Sequence, residues 1–555
     1  MNTFPGLSVR RDFVFDSVQK RDRDVLPSID TLALTATKPV LPRGSIGISE
    51  QVLPLPSTTT KVYYSDGLNW IRLATAASAG CSLADVCVGP GEDYTTFTAA
   101  LAAGFNRVRI TGDITEPAGT IVLPTYVHIW VDGEATWTIP PTTTIDASGL
   151  ISGTIEGNTR GTLAWSPSVS GQLMGPASNI TAQFSIKDMI IDISGTTAAT
   201  GPIQLWAQDA LQFYENCMFI LPNIPSIQLI DLTLNTVPTS SPAMGSAITN
   251  IEFVGTGTAI THVIGNIGSG AFAGGHFTNL MFSGTFPAGN AGFAFPLIEV
   301  GVPSFSNGNL VFDGIATDTS SAIYDLILAG NVTNILKKDD VGITGINFHL
   351  AYQGSEGSSL SKSTVNAGFF LGSFATVTEL SAESVFVSGN DHKFTGCTFG
   401  TFNAGPFATL SVTSRNNIFN ACTIGIQSAV PSPGILVSST AINTTFTGCF
   451  ITDSYTTGAD RFMLISGSDT VITGCNKLHT GAAFTNLGSL EVDGGGDRTI
   501  ITGFNMTGST TGASPASTVV FTGTPSDVLV VNNMFDNVTV GAVGGASIIA
   551  PNIVL

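Results

Sequence analysis

The sequence predicts an all-β protein folded as a parallel β-helix, a solenoid in which each repeat forms one coil. Three observations support this fold class. Short β-favouring runs recur between residues 392 and 478 at intervals in the twenties, which is the repeat length of a solenoid coil. The same region carries no amphipathic pattern of the kind that helical repeats require. Only 11% of the 555 residues are charged and 62 are glycine, a composition typical of long β-structures with small polar side chains outside.

The repeat is clearest in four copies, which read HKFTGCTFG, NIFNACTIG, TTFTGCFIT and TVITGCNKL. Each copy contains one cysteine, and Cys397, Cys422, Cys449 and Cys475 follow one another at spacings of 25, 27 and 26 residues. Equivalent residues of neighbouring coils lie about 4.8 Å apart in such a fold. We therefore expect one inward-facing column of thiols, buried as small apolar side chains. Disulfides, metal ligation and a nucleophilic role are the alternatives, and the close Cys-x-x-Cys spacing of metal sites does not occur in the sequence.

Two weaker copies extend this column. TIITGFNMT and LVVNNMFDN follow the fourth cysteine, and they place Phe504 and Met534 at the position of the cysteine. The position therefore takes any medium-sized apolar side chain, of which cysteine is one.

Residues 1–27 form an N-terminal arm with a composition of its own. Its basic residues are interleaved with aspartates, so the arm has mixed charge rather than a polybasic character. Two interpretations stay open. The arm is either a solvated tail or an anchor that becomes ordered against a partner, with Phe4, Phe13 and Phe15 as its apolar contacts.

Residues 28–89 form a small β-hairpin attachment region. In KVYYSDGLNWIRLA two β-favouring runs flank Ser65-Asp66-Gly67, and Asp-Gly between such runs is a strong hairpin signal. The segment is similar to short hairpins near the attachment ends of phage tail fibres and other viral surface proteins. Cys81 and Cys87 could pair across CSLADVC, although an odd total of seven cysteines favours unpaired thiols and a reducing compartment.

Residues 90–545 are the predicted β-helix, which begins with a capping helix. GPGEDYTTFTAALAAG predicts a helix of about ten residues, capped by Asp93 or Thr95 and ended by Gly104. Its apolar face is Phe97, Ala100 and Leu101. Strands follow in NRVRITGDIT and TIVLPTYVHIWVDG, where apolar and polar residues alternate.

One amphipathic helix followed by strands and glycine turns resembles the N-terminal entry of the pectate-lyase-like superfamily of right-handed parallel β-helices. In that superfamily the helix covers the open end of the solenoid, which keeps water from the core and the sheet edge. The resemblance implies a right-handed coil. Residues 546–555 are an apolar C-terminal tail without a recognisable cap, so a homotrimer, another component or a local loop is expected to cover that end, and a trimer is favoured.

The formal net charge is −19, from 21 basic and 40 acidic residues. This balance argues against a nucleic-acid partner, which would need a stripe of lysine and arginine. The sequence contains no run of about twenty apolar residues, which a membrane-spanning helix would need. The N-terminal segment lacks the apolar core of a secretion signal. We therefore expect synthesis in a cytoplasm.

The sequence assigns no catalytic residue, no cofactor and no metal site. Polysaccharide-cleaving members of the superfamily carry short motifs of the polygalacturonase type, and only their Asp-Asp pair has a counterpart here, Asp339-Asp340. Pectate-lyase-type members need clustered aspartates for calcium and an arginine base on neighbouring coils. The dense charged group of the repeat region is Asp453, Asp460 and Arg461 in TDSYTTGADRF. A solvated turn is the favoured interpretation of this group.

A glycosidase needs two carboxylates about 5–10 Å apart. Asp391, Asp453, Asp493 and Asp497 could be brought together by stacking or between subunits. The histidines show no metal-binding spacing, and structural or surface roles are favoured for them. They are His128, His262, His276, His349, His392 and His479.

Taken together, these features are most similar to the spikes, fibres and decorating proteins of virus particles. The resemblance implies a virion structural protein for host attachment, made and assembled in the host cytoplasm and anchored to other virion proteins through its N-terminal region. A receptor or glycan-binding role along the β-helix is expected with it. A polysaccharide-degrading hydrolase or lyase of the tailspike depolymerase type is the alternative, less favoured than a non-enzymatic role, and a bacterial surface adhesin is the third.

Overall fold

A computed structural model of the chain describes three N-terminal strands and most of residues 84–554. The predicted arm, residues 1–27, lies outside the described residues. The ranges outside this description are 1–45, 52–58, 66–69, 74–83, 169–170, 176–182, 198–202, 207–210, 225–228, 232, 235–245, 261–262, 266–270, 273–274, 290–292, 294–295, 301–309, 318–322, 336–347, 355, 401–407, 427–432, 455–460, 480–488, 509–518, 536–546, 550–552 and 555.

Three antiparallel strands near the N-terminus form a small sheet of their own. Thr59–Ser65 pairs with Trp70–Leu73, and Ser65 lies opposite Trp70, which confirms the predicted hairpin. Ile46–Gln51 pairs with the other edge of Thr59–Ser65. The antiparallel pairing sets this unit apart from the parallel sheets that follow.

The rest of the described chain is a parallel β-helix with two long sheets. The first sheet has 24 strands and the second has 19. Successive rungs pair in parallel and in register, for example Phe394 with Phe419, Phe419 with Phe446 and Phe446 with Ile472. This architecture confirms the predicted all-β parallel β-helix.

The strands of the first sheet are Val86–Val88, Arg107–Ile110, Ile114–Thr115, Tyr126–Asp132, Thr136–Ile139, Ser152–Asn158, Thr162–Trp165, Gln183–Lys187, Ile190–Asp192, Leu211–Glu215, Met218–Ile220, Ser246–Thr256, Gly275–Thr285, Leu310–Thr317, Asn331–Ile335, Ser359–Ser361, Thr376–Thr378, Lys393–Thr395, Ile418–Asn420, Thr445–Thr447, Val471–Thr473, Ile500–Thr502, Leu529–Val531 and Ile548–Ile549. The strands of the second sheet are Ile230–Asp231, Ile264–Gly265, Ile298–Glu299, Tyr324–Ala329, Phe348–Gln353, Thr364–Phe370, Ser381–Val387, Thr398–Phe399, Leu410–Val412, Thr423–Ile426, Ile435–Val437, Phe450–Asp453, Arg461–Ile465, Asn476–His479, Ser489–Val492, Asn505–Gly508, Val519–Phe521, Met534–Phe535 and Ile553–Val554. A four-stranded parallel sheet consists of Thr120–Val122, Thr144–Asp146, Gly171–Gly175 and Ile203–Trp206, and a two-stranded antiparallel ribbon of Thr233–Leu234 and Ala271–Phe272.

One backbone turn recurs in rung after rung of the first sheet, either after a strand or within one of its longer strands. Its residue has a positive φ and is asparagine or aspartate in the early rungs and mostly glycine in the late ones, the residue types that tolerate this conformation best. Side-chain amides link the early turns, because Asn216 donates to Asp188, Asn250 to Asn216 and Asn279 to Asn250 at 3.1, 2.9 and 2.8 Å. The turn residues are Asp188, Asn216, Asn250, Asn279, Gly314, Asn334, Lys362, Glu379, Gly396, Ala421, Gly448, Gly474, Gly503 and Asn532.

The residue after each turn points inward and forms the predicted column. Cys397, Cys422, Cys449 and Cys475 occupy it, and all four are free and buried. The backbone N–H of Cys449 donates to Sγ of Cys475 at 3.3 Å, so the column is continuous between rungs. The prediction of an inward-facing thiol column is therefore confirmed.

The column is longer than the cysteine repeat. Cys217 occupies it in an earlier rung, and burial raises the pKa of its thiol to about 11. Phe504 lies in the column as predicted, but the prediction for Met534 is wrong. Met534 pairs with Asn505, one residue past the column, and the column position belongs to Asn533. This buried amide is tolerated because its oxygen accepts a hydrogen bond from the N–H of Phe504 at 2.8 Å.

The chain enters the β-helix through Val86–Val88, which pairs with Arg107–Ile110. Cys87 in this strand is disulfide-bonded, so the expectation of an unpaired thiol is wrong for it. Cys81, its neighbour in CSLADVC, lies outside the described residues.

The capping helix is shorter than predicted. It runs from Phe97 to Ala102, six residues instead of about ten. Its N-cap is Thr96, whose hydroxyl accepts from the N–H of Ala99, and not Asp93 or Thr95. Phe97 and Ala100 are fully buried, as the apolar face predicts.

A carboxylate that follows a later strand, Ile114–Thr115, completes the cap of this helix. Glu116 is buried, and its oxygens accept hydrogen bonds from the N–H groups of Phe97 and Thr98 at 2.9 and 3.0 Å and from the indole of Trp137 at 3.0 Å. The first amides of a helix have no partner within the helix. Glu116 supplies that partner from the next coil.

The last described strands, Ile548–Ile549 and Ile553–Val554, add to the two sheets in parallel. The predicted tail, residues 546–555, therefore contains part of a further rung, and Ile548 is exposed on it. In the part of the chain that the structure describes, no helix has the length and apolarity needed to span a membrane.

Candidate functional site

Two members of the charged group singled out in TDSYTTGADRF, Asp453 and Arg461, lie in strands and not in a solvated turn. Asp453 is buried inside the solenoid, and its Oδ2 lies 2.8 Å from Nζ of Lys477, with both side chains fully buried. Arg461 pairs instead with Glu491 of the next rung. Asp460 lies outside the described residues, as do Asp339 and Asp340, so the prediction is corrected for Asp453 and Arg461 only.

The other aspartates considered for catalysis accept hydrogen bonds from residues of neighbouring rungs. Asp391 accepts from the side-chain amide of Asn416 at 2.8 Å. Asp493 accepts from the hydroxyl of Ser466, and Asp497 from the backbone N–H of Ser526 at 2.7 Å. These contacts join neighbouring rungs.

The histidines have different environments. His276 is exposed on the first sheet, His392 is buried in a corner, His479 ends a strand, and His262 lies outside the described residues. His128 stacks on Trp130 with ring centroids 3.7 Å apart, and its Nε2 lies 3.2 Å from Oε2 of Glu156; burial lowers its pKa. His349 belongs to a cluster that the sequence did not reveal.

This cluster lies on the outer face of four successive rungs of the second sheet. Leu326 pairs with Leu350, Leu350 with Gly368 and Gly368 with Val385, and these residues are buried. Val365 and Ala382 pair earlier in the last two strands and are also buried. Residues next to these inward-facing positions project outward. The strands are Tyr324–Ala329, Phe348–Gln353, Thr364–Phe370 and Ser381–Val387. We call the outward group the outer platform; its members are Asp325, His349, Asn366, Phe369, Glu383 and Phe386.

Asp325 and His349 form a buried pair at one end of the outer platform. Nδ1 of His349 lies 2.9 Å from Oδ1 of Asp325, and the side chains are 10% and 1% exposed. Gly289 passes directly over this carboxylate, since a Cβ atom there would lie 2.2 Å from Oδ1. The pair fixes the orientation of the imidazole ring.

Glu383 is the second carboxyl of the outer platform. Burial raises its pKa, against the opposing effects of a hydrogen bond from Asn366 and the charge of His349. Asn366 Nδ2 donates a hydrogen bond to Oε2 of Glu383. The other carboxyl oxygen of Glu383, Oε1, is buried and accepts no hydrogen bond from the described residues. A carboxyl with a raised pKa holds its proton to higher pH and can donate it to a bound ligand.

Aromatic rings adjoin these polar groups. Phe369 and Phe386 are partly exposed and stack with centroids 4.8 Å apart at an interplanar angle of 11°. Phe293 packs edge-on against Phe369 at 5.2 Å. Its φ of 51° is unusual for an aromatic residue, and such strain concentrates at functional sites. Leu371, two residues past Phe369, is also exposed.

The outer platform combines groups that suit a carbohydrate ligand. Aromatic rings pack against the apolar C–H face of a sugar, and nearby carboxyl, amide and imidazole groups bind its hydroxyls. Within the described residues no group of three or more histidine, cysteine, aspartate or glutamate side chains could hold a metal ion.

The sequence held a signal for the outer platform that the repeat analysis missed. TVNAGFFLG and SAESVFVSG align with Phe369 above Phe386. Rungs here are only 17 residues apart. This spacing is shorter than the period in the twenties, so the two segments do not match the cysteine repeat. A structural or surface role was expected for His349, and the sequence did not indicate its contact with Asp325.

Fold and site together define a parallel β-helix that presents a polar and aromatic platform on its side. Among solved structures, the chain is similar to tailspike protein 3 of bacteriophage CBA120, with a TM-score of 0.22 and 11% identity over 90% of this chain and 64% of that one. It is also similar to the enzymatically active domain of CBA120 tailspike protein 2, with a TM-score of 0.18 and 10% identity over 94% of this chain and 60% of that one. Full-length tailspike protein 2 of an Escherichia coli O157:H7 bacteriophage gives a TM-score of 0.16 and 10% identity over 89% of this chain and 54% of that one.

The chain thus spans 54–64% of the length of these tailspikes. No protein-family model and no curated protein matches it.

Proposed function

We propose that this protein is a virion spike or fibre component that binds a host surface glycan through the outer platform. The observation that carries the proposal is that the stacked Phe369 and Phe386 follow the hydrogen-bonded Asn366 and Glu383 by three residues on the same two neighbouring strands. A rigid solenoid suits this role, because it holds residues from distant parts of the sequence in fixed register.

Anchoring through the N-terminal region is part of the proposal. The three-stranded sheet at Ile46–Gln51, Thr59–Ser65 and Trp70–Leu73 pairs within itself, which suits a separate attachment unit for other virion proteins. The exposed apolar Ile548 at the far end favours a covering partner, and a homotrimer made in the host cytoplasm would supply one.

Glycan binding is tested by replacing one ring of the outer platform. Phe386→Ala removes the exposed partner of the stack, and we expect it to weaken binding of host surface polysaccharide about threefold to tenfold, the loss of one aromatic contact. Surface plasmon resonance with immobilised polysaccharide measures the change. Phe450→Ala is the matched control, since Phe450 is 41% exposed on the same sheet but outside the platform. Equal binding by wild type and Phe386→Ala would contradict the proposal.

Hydrolysis of the bound glycan is the second candidate, because burial raises the pKa of Glu383. A protonated Glu383 could give its proton to the glycosidic oxygen as its bond to the anomeric carbon breaks. His349, in its neutral form and oriented by Asp325, could take a proton from the water that bonds to this carbon. Loss of the acid typically costs about 100-fold or more in rate. New reducing ends should therefore appear with wild type and with the exposed control Glu379→Gln, and not with Glu383→Gln. If wild type releases none, the outer platform only binds.

A further inference from the structure

A cavity of about 520 Å³ lies on the outer face of the first sheet, several rungs before the outer platform. Small-molecule sites usually occupy about 300–1,000 Å³. The strands that frame it are Ser152–Asn158, Gln183–Lys187, Leu211–Glu215 and Ser246–Thr256. We call it the first-sheet groove.

Its floor is one row of stacked side chains. Thr154, Ser185, Phe213 and Ala247 pair across four successive rungs. Three of them are small, so the Phe213 ring stands between shallow neighbours and offers an apolar surface. Ser185 Oγ is buried at this floor with no hydrogen-bond partner in the described residues.

The rim beside this floor is a row of charges. Glu156, Lys187 and Glu215 pair in the same register, and Nζ of Lys187 lies 3.4 Å from Oε2 of Glu215 with the side chains 44% and 50% exposed. Two carboxylates to one ammonium disfavour an anionic ligand, and the ammonium between them disfavours a small cation. Such a rim can instead donate to and accept from the hydroxyls of a neutral molecule.

Trp130 lies on the same outer face but is not available as a binding surface. It is 8% exposed, with His128 stacked on it at 3.7 Å and the Arg107 guanidinium 5.7 Å from its ring centroid. Two aromatic residues line the groove, Phe213 and Tyr214. Tyr214 is buried, so Phe213 is the lining ring that a ligand would meet.

We propose that the first-sheet groove is a second saccharide site, which binds a neutral hexose ring against Phe213 with its hydroxyls on Lys187 and Glu215. The site is separate from the outer platform, on another sheet and other rungs. It would give one chain two points of contact with a surface polysaccharide, which raises overall avidity without a stronger single site.

Saturation-transfer NMR with the full chain tests this site. The probes are glucose, galactose, mannose and N-acetylglucosamine. We expect at least one to receive saturation, and the transfer to fall at least about twofold in Phe213→Ala, as for loss of one aromatic contact. Ala247→Trp keeps Phe213 but fills the groove, and it should lower the transfer as well. Phe450→Ala, on the second sheet, should leave it unchanged.

The proposal is overturned if no hexose receives saturation, or if either groove variant keeps the wild-type signal. Crystals soaked with the responding sugar should show its ring against Phe213, and a ring found elsewhere alone would also overturn it. The part of the signal that Phe386→Ala removes belongs to the outer platform. Failure of the groove therefore leaves glycan binding at the platform to stand or fall on its own experiment.

Discussion

His392 and Asn417 perform the same task in neighbouring rungs. Nδ1 of His392 accepts from the N–H of Ala375 at 3.3 Å, and Oδ1 of Asn417 accepts from the N–H of His392 at 3.0 Å. Both side chains are fully buried. Burial lowers the pKa of His392 to about 4, so the folded chain holds this ring neutral at neutral pH.

The difference between the pKa of His392 in the folded chain and in the unfolded chain predicts that acid destabilises the protein. Unfolded histidine titrates near pH 6.5, so between about pH 6.5 and 4 the unfolded chain binds a proton that the folded chain refuses, and stability falls as the pH falls. The loss from His392 is up to about 3 kcal/mol. His392→Asn keeps an acceptor for Ala375, and we expect it to reduce the drop in the urea midpoint between about pH 7 and pH 4.5. An unchanged drop would contradict the assignment.

Single positions were predictable from sequence where one residue type recurs at one interval. The cysteine column is such a case. Met534 was placed one residue too far because Asn532-Asn533 offers two polar residues where other rungs have one, and the sequence does not show that Asn533 meets the N–H of Phe504. Asp453 was misjudged for a similar reason, since its partner Lys477 lies in the next rung.

Strands of successive rungs also explain the buried ion pair. Lys477 occupies the inward row of Ile451 and Met506, and Asp453 occupies the row of Ile426. Nζ of Lys477 also lies 5.1 Å from the centroid of the Phe462 ring. Two charges thus replace apolar residues in the core, which costs desolvation that their mutual contact helps to offset.

Removing one partner of this pair should cost more than removing both. Asp453→Ile alone removes the carboxylate that faces the buried Lys477 charge, and we expect a loss of about 3–5 kcal/mol in the free energy of unfolding. Asp453→Ile with Lys477→Met restores the residues of the neighbouring rungs and should lie near wild type or above it. Urea unfolding of the three chains measures this. A double variant no more stable than the single one would show that the pair has another role.

Elements were easier to predict than the surface they create. Alternating runs such as NRVRITGDIT place Val108 and Ile110 in the core, and both are fully buried. The outer platform could not be predicted from the sequence. Glu383 lies near Asn366 and His349 because of the register between 17-residue rungs, and the sequence does not show this register. Sequence patterns indicate which face of a strand is buried. Predicting a site also requires the register between strands, which decides which side chains lie next to each other.

The whole chain has two kinds of sheet, a small antiparallel unit near the N-terminus and the long parallel solenoid. The hairpin signal and the repeat predicted both from sequence. Their division of labour, attachment by one and glycan binding by the other, is the central claim. The solenoid's pairing is between neighbouring rungs, so loss of the N-terminal unit should leave the solenoid folded.

The most direct test of this claim is the incorporation of the chain into virus particles with and without residues 1–80. Mass spectrometry of purified particles should find the full-length chain on them, while the truncated chain accumulates free and still unfolds cooperatively in urea. Truncated chains on particles at the full-length level, or full-length chains absent from particles, would contradict it.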